Sequence, residues 1–201
     1  GNRSQLPMQK VSVQLPQQDA FKIQVRPDTK EVDANGAFDV KPAQQLRHFF
    51  LWQNTGPWKD LMKIKVNFVW DKKPRSIVLT MPLTLSNFVT PQSLEPAAFI
   101  TAWQQTSANE VWATRKLPKP LSVAEFKTSL TGPLHLNLIE GVDKTPANVW
   151  ASGVVNGQSL TVRIETKSNM PVFRVTVHCP SKALGDAFIG SVSAILQTQD
   201  A

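Results

Sequence analysis

A chain of 201 residues with 41% hydrophobic content and a formal net charge of +7 is long enough for one large or two small domains and apolar enough to build a core. No apolar run approaches the ~18 residues of a membrane-spanning helix, and no basic-then-apolar leader opens the chain. A single cysteine, Cys179, and three separated histidines, His48, His135 and His178, exclude a disulfide framework and offer no metal-ligand spacing, so no metal or other cofactor is expected and a reducing compartment is the simpler setting.

The opening Gly1-Asn2-Arg3-Ser4 lacks an initiator methionine and reads as cut from something longer. Short alternating runs follow, divided by Pro, Gly, Asn and Asp. Val11, Val13 and Leu15 precede Pro16-Gln17-Gln18-Asp19, and Phe21, Ile23 and Val25 precede Arg26-Pro27-Asp28. Asn35-Gly36 turns the chain, Leu46 opens a further run that ends at Trp52, and Met62, Ile64, Val66, Phe68 and Trp70 keep a period of two before Ile77 and Leu79 close the series. Strands at this spacing with no helical period predict a β-sandwich over residues 1–81, incomplete at its amino end.

After Met81-Pro82 the pattern changes, and residues 82–201 read as an α+β platform, an antiparallel sheet flanked by helices. Pro96 in a first turn and Phe99, Ile100 and Trp103 predict a helix. Residues 110–113 are a short extended piece. Ser122 with Glu125 three residues on is a capping box opening a second helix that Gly132-Pro133 ends. Residues 134–139 and 149–155 read as strands, which makes His135 a strand residue like His48, and Asn156-Gly157 signals a tight hairpin. Leu160, Val162 and Ile164, then Phe173, Val175 and Val177, form the apolar side of a second hairpin around Thr166-Lys167-Ser168-Asn169. From Ser181 to Gln197, Leu184, Phe188, Val192, Ile195 and Leu196 keep a helical period that Gly185 and Gly190 weaken.

Catalytic patterns are missing. There is no nucleophile elbow, no phosphate loop and no His-Glu-x-x-His, and the carboxylates Glu110, Glu125, Glu140, Asp143 and Glu165 stand on separate elements with no acid–base spacing. Cys179 beside His178 is not a nucleophile and base, because strand neighbours point to opposite faces. An enzyme is not expected. Two binding surfaces compete instead. Nearly all the net charge falls in residues 1–82, with Lys59, Lys63, Lys65, Lys72, Lys73 and Arg75 clustered where acidic phospholipid or nucleic acid could be met. The other surface is the polar side of the second hairpin, carrying Arg163, Glu165, Arg174, Thr176 and His178, beside the helix of Phe99 and Trp103. If that helix buries Ile100 and Ala97, part of the Trp103 indole is left at the rim, where a ring and paired guanidinium groups suit a short acidic peptide.

These residues resemble a family. Pro82-Leu83-Thr84-Leu85-Ser86-Asn87-Phe88 with Pro91, the Phe99-x-x-x-Trp103 helix, Pro146-Ala147-Asn148-Val149, Leu160-Thr161-Val162-Arg163-Ile164-Glu165 and Arg174-Val175-Thr176-Val177 are similar to the appendage, or ear, of the alpha-type large subunit of the endocytic clathrin adaptor. The likeness is strongest over residues 82–180. It implies an immunoglobulin-like sandwich supporting the platform, and a non-catalytic role: recruiting endocytic accessory proteins through Asp-Pro-Phe, Asp-Pro-Trp and Phe-x-Asp-x-Phe motifs. By the same resemblance the motif-binding residues are Phe99, Trp103, Glu110, Arg163, Glu165 and Arg174, with Ile100 where the family has a second aromatic and His178 where it has a distal arginine. The family's further site on the side of the sandwich is not expected, since its glutamine falls at about Phe38. The implied setting is cytoplasmic and peripheral, at plasma-membrane clathrin-coated pits, with membrane association indirect, the other adaptor subunits reached through the parent chain and no nucleic acid partner.

Overall fold

A computed structural model describes residues 5–15, 19–27, 37–45, 48–57, 62–81, 83–167 and 170–197. The predicted turns at residues 16–18 and 35–36, Leu46, Lys59, Pro82 and the hairpin tip at Ser168 and Asn169 lie outside the described residues. Packing groups the chain into two compact units, Gly1–Thr55 with Asp60–Leu83, and Gly56–Lys59 with Thr84–Ala201.

The first unit is the sandwich, and its described strands all pair antiparallel. β1 (Met8–Gln14), β3 (Phe38–Val40), β5 (Lys63–Trp70) and β6 (Lys73–Thr80) form one sheet in the order β3-β1-β5-β6, while β2 (Phe21–Pro27) and β4 (His48–Asn54) form a two-stranded sheet. Alternation puts Val11, Phe38 and Val40 in a small core, with Met8, Val66 and Phe68 against it. The register of β1 shifts on both sides of Lys10, which takes φ 51°. Its amide donates to Asp39 Oδ1 at 2.9 Å, so the bulge keeps its backbone donor satisfied. β5 and β6 are joined at Asp71 and Lys72, both with positive φ, as a two-residue turn between twisted strands requires.

The second unit is the platform. Its sheet runs in the order β7 (Thr90–Pro91), β10 (Asn148–Val155), β11 (Gln158–Thr166), β12 (Val172–His178), β8 (Val111–Lys116), and β9 (Asn137–Leu138) adds to β10. Asn156-Gly157 makes the expected tight turn with both residues at positive φ, which pairs Val155 with Gln158 and Trp150 with Arg163. Strand parity then divides the sheet into two faces. Val149, Ala151, Leu160, Val162, Ile164, Phe173, Val175 and Val177 are buried on the inner one, against α2 (Val123–Thr131) and α3 (Lys182–Gln197). The capping box forms: Ser122 Oγ accepts from the Glu125 amide at 3.2 Å and Glu125 Oε2 accepts from the Ser122 amide at 2.6 Å. Gly185, read as a weakness in α3, is a packing requirement, because a Cβ there would collide with Val111 Cγ2 and crowd Cys179 Sγ. α1 (Pro96–Gln105) lies on the outer face.

Two local expectations fail. The segment 134–139 is mostly irregular, with only Asn137 and Leu138 paired, and His135 takes φ 53° outside any strand. The pattern misled because Leu134 and Leu136 are buried in the core shared with α2 and β10, and Ile139 is buried too, without a run of strand alternation.

Candidate functional site

On the outer face, register lines up side chains across four strands. Trp150, Arg163, Thr176 and Trp112 share one row; Asn148, Glu165, Arg174 and Thr114 share the next. Residues that stand far apart in sequence become neighbours here because each occupies an outward position of an adjacent strand.

α1 enters this face with Phe99 and Trp103, one helical turn apart. Pro96 occupies its first turn, and at the far end Asn109 Nδ2 donates to the Pro180 carbonyl at 2.8 Å, tying the helix exit to the end of β12. Trp103 is half-buried. It stacks on the His178 ring at 3.7 Å between centroids and 19° between planes, meets Trp150 edge-on at 5.2 Å, and lies over Phe99 at 6.0 Å. Phe99 meets Trp150 edge-on at 5.7 Å and is 0% exposed.

The burial of Phe99 corrects the expectation that it offers its ring to a ligand: it is the floor beneath two indoles. The helix is also turned the other way from the predicted arrangement. Ile100 is 40% exposed and Ala97 is exposed, while the Phe99–Trp103 stripe faces the sheet. Trp103 reaches the rim because it stands at the end of α1, above the edge of the packed cluster. His178, expected on an open charged face, is buried at 2% exposure beneath Trp103. One of its ring nitrogens, Nδ1, lies 2.8 Å from the Trp103 carbonyl and the other, Nε2, 2.8 Å from Glu110 Oε2. Each ring nitrogen thus has a partner, one on α1 and one just beyond it. His178 thus holds Trp103 and Glu110 in place and presents no surface of its own.

The cations divide between two aromatic poles. The Arg163 guanidinium carbon sits 5.8 Å from the Trp103 ring centre and 5.4 Å from that of Trp150; Arg174 sits 4.7 Å over Trp112. Each such contact contributes about 0.5–1 kcal/mol at a partly exposed site. Glu165 stands between them, its Oε2 at 3.0 Å from Arg163 Nη2 and 3.7 Å from Arg174 Nε. The first is a hydrogen bond and the second only an ion pair, so one carboxylate serves two guanidinium groups. Arg163 Nε, Arg174 Nε and Thr176 Oγ1 are buried and find no hydrogen-bond partner among the described residues.

Trp150 and Trp112 were not singled out from the sequence. Trp150 was within reach: counting back from the Asn156-Gly157 turn sets it opposite Arg163. Its indole Nε1–H donates to Asp143 Oδ2 at 3.1 Å, and the same oxygen accepts from Asn148 Nδ2 at 2.8 Å. Burial works against the Asp143 charge, but hydrogen bonds from Asn148, the Thr145 amide and Trp150, with the positive charge of Arg163, outweigh it and hold the carboxyl below its usual range. A hollow of about 320 Å³ opens beside Trp150, lined among others by Lys127, Glu140, Asp143 and Lys144; it does not reach Trp103. Cys179 is buried, its Sγ 2.9 Å from the Ser181 carbonyl, and burial pushes the thiol up. No group of metal-ligating side chains occurs among the described residues.

A protein-family model, the alpha adaptin AP2 C-terminal domain, matches residues 87–196. The AP-2 complex subunit alpha-2 of Dictyostelium discoideum is 27% identical over 153 residues, covering 72% of this chain and 16% of that protein, so the chain spans about a sixth of that relative's length. Since the matched segment takes in more than half of the residues and nearly every element that builds the platform, the chain belongs to the alpha adaptin AP2 C-terminal domain family.

Proposed function

We propose that this chain is a non-enzymatic interaction module of an endocytic clathrin adaptor, working in vesicle-mediated protein transport, which recruits accessory proteins by gripping short Asp-Pro-Phe, Asp-Pro-Trp and Phe-x-Asp-x-Phe motifs on the platform over residues 82–201. Family membership supports the adaptor role. One observation carries the motif reading: the partly exposed Trp103 indole, locked from below by His178 and Phe99, with the Arg163 guanidinium beside it.

In this reading a motif's aromatic ring packs on Trp103 and Trp150, where apolar area is presented on side chains that are already ordered, so little entropy is lost on binding. The motif's aspartate meets Arg163 or Arg174, and Glu165 keeps both guanidinium groups over the sheet between encounters. Phe99, His178 and Glu110 act as positioning residues. A footprint this small, far below ~1,200 Å², corresponds to roughly micromolar or weaker binding, so useful retention comes from several motifs on one flexible partner meeting many adaptors at a coat. The setting is cytoplasmic and peripheral, reached through the rest of the complex; no helix among the described residues is long and apolar enough to cross a membrane. Titrating an acidic Phe-x-Asp-x-Phe peptide against wild type and Trp103→Ala tests the reading: a loss of about 30-fold or more is expected for a central aromatic anchor, and equal affinities would contradict it.

A further inference from the structure

The β5–β6 hairpin carries a surface that takes no part in the platform site. Between Lys63 and Thr80 five cations, Lys63, Lys65, Lys72, Lys73 and Arg75, stand against a single acid, Asp71. All five are exposed, and none has an ion pair among the described residues. Beside them Ile77, Val78 and Leu79 are 47%, 56% and 50% exposed in one unbroken run. We propose that this hairpin rests on membrane surfaces that carry acidic phospholipid, its cations on the head groups and its apolar run between them. The contact is separate from the platform site and does not depend on how that site works.

The register sets which part of the ribbon makes the contact. Lys65 stands opposite Val78, while Lys73 and Arg75 share the other side with Ile77 and Leu79. Cations and apolar side chains therefore occupy both sides, and a flat partner pressed on either side would leave half of them out. What they share is the free edge of β6, the last strand in the order β3-β1-β5-β6 and exposed at all eight residues, with the turn at Asp71 and Lys72. An edge-on approach lets both sides reach one surface. Near the turn, Lys10 and Arg75 also line a hollow of about 330 Å³ with Phe68, Val69 and Pro74. That volume is at the small end of ligand pockets, about 300–1,000 Å³, and its two cations beside apolar neighbours suit one phosphate-bearing head group.

Composition decides which acidic partner fits. Lysines also guard sheet edges against pairing, but guarding leaves the Ile77-Val78-Leu79 run without a role, and an exposed apolar run favours aggregation. Nucleic acid rewards cations and stacking rings, and β6 has no aromatic residue. At a lipid interface the cations gain from the negative surface potential and the aliphatic side chains gain from leaving water, so both parts of the surface are used.

Co-sedimentation of the whole chain with phosphatidylcholine vesicles, with and without about 30% phosphatidylserine, tests this. Wild type should sediment with the mixed vesicles and stay in solution with the neutral ones. Each cation near such a surface is worth about fivefold, so Lys72→Glu with Lys73→Glu should weaken partitioning about 25-fold or more. Val78→Ser with Leu79→Ser should weaken it about fivefold at constant charge. Circular dichroism checks the fold of both variants, and the charge pair, in and beside an exposed turn, carries the test if the apolar pair does not fold. Trp103→Ala should bind the vesicles as wild type does, which keeps this result distinct from the peptide titration. No sedimentation of wild type, equal sedimentation with both kinds of vesicle, or loss of it in Trp103→Ala overturns the proposal. So does tighter binding to a single-stranded oligonucleotide than to vesicles with Val78→Ser and Leu79→Ser without effect, which would assign the surface to nucleic acid. Self-association of the chain that the serine pair abolishes, with no vesicle binding, would assign the edge to a second copy and overturn it too.

Discussion

The outer face of the platform and the β5–β6 hairpin both present cations to solvent, but they are built in opposite ways. On the platform the charged side chains of the candidate site are held by their neighbours. Arg163 has Glu165 and two indoles, Arg174 has Trp112, and the supporting Phe99 and His178 are buried. On the hairpin, Lys63, Lys65, Lys72, Lys73 and Arg75 are exposed and have no ion pair among the described residues, and all eight residues of β6 are exposed. Lysines free to move attract any acidic partner weakly and lose that attraction in salt, whereas fixed rings and fixed guanidinium groups select a shape. Charge alone pointed to the first unit; ordered structure around the charge points to the platform.

The comparison can be broken most forcefully in the supports. Phe99→Ala removes a fully buried ring and should cost about 3–5 kcal/mol of platform stability in chemical denaturation, while Ile77→Ala on β6, at 47% exposure, should cost roughly 1 kcal/mol or less. Next in size, Arg163→Ala should weaken an acidic aromatic peptide about tenfold, whereas the pair Lys72→Glu and Lys73→Glu should change that affinity by less than about twofold. The reverse ranking in a peptide titration would move the binding surface to the hairpin. A smaller effect concerns acid. The folded-state pKa of Asp143 is depressed, so the stability it contributes is fully present above its usual value of 3.8 and is lost as pH falls through the lower folded value. Asp143→Asn should therefore flatten the acid limb of the platform's stability profile and leave the profile near pH 7 with the same slope. Smallest of all, native Cys179 should not react with a thiol reagent until the platform unfolds, since burial keeps it neutral and covered.

Much of this was written in local pattern. The capping box at Ser122, the tight turn at Asn156-Gly157, the α1 and α3 periods and the alternation of β5, β11 and β12 all follow from rules that act within a few residues, and all form. Strand parity also named the face that carries Arg163, Glu165 and Arg174. What parity cannot say is which outward positions will be covered. His178 is outward and buried, because a helix that begins more than eighty residues earlier lies on it. The helix itself offered two apolar stripes, and only the sheet beneath chose the one with Phe99. Trp112 was hidden for a related reason: β8 reaches β12 by a long connection, so no turn in the sequence sets Trp112 opposite Thr176. β3, β7 and β9 are only two or three residues long and leave no period to read.

The most direct test is to titrate an isotope-labelled sample of the chain with a Phe-x-Asp-x-Phe peptide and follow the indole and arginine side-chain resonances by NMR. The account predicts that the Trp103 and Trp150 indoles and the Arg163 side chain shift together and saturate with one affinity, while the amides of Lys63–Trp70 and Lys73–Thr80 stay still. Shifts centred on those two strands, with the Trp103 indole unmoved at saturation, would contradict it.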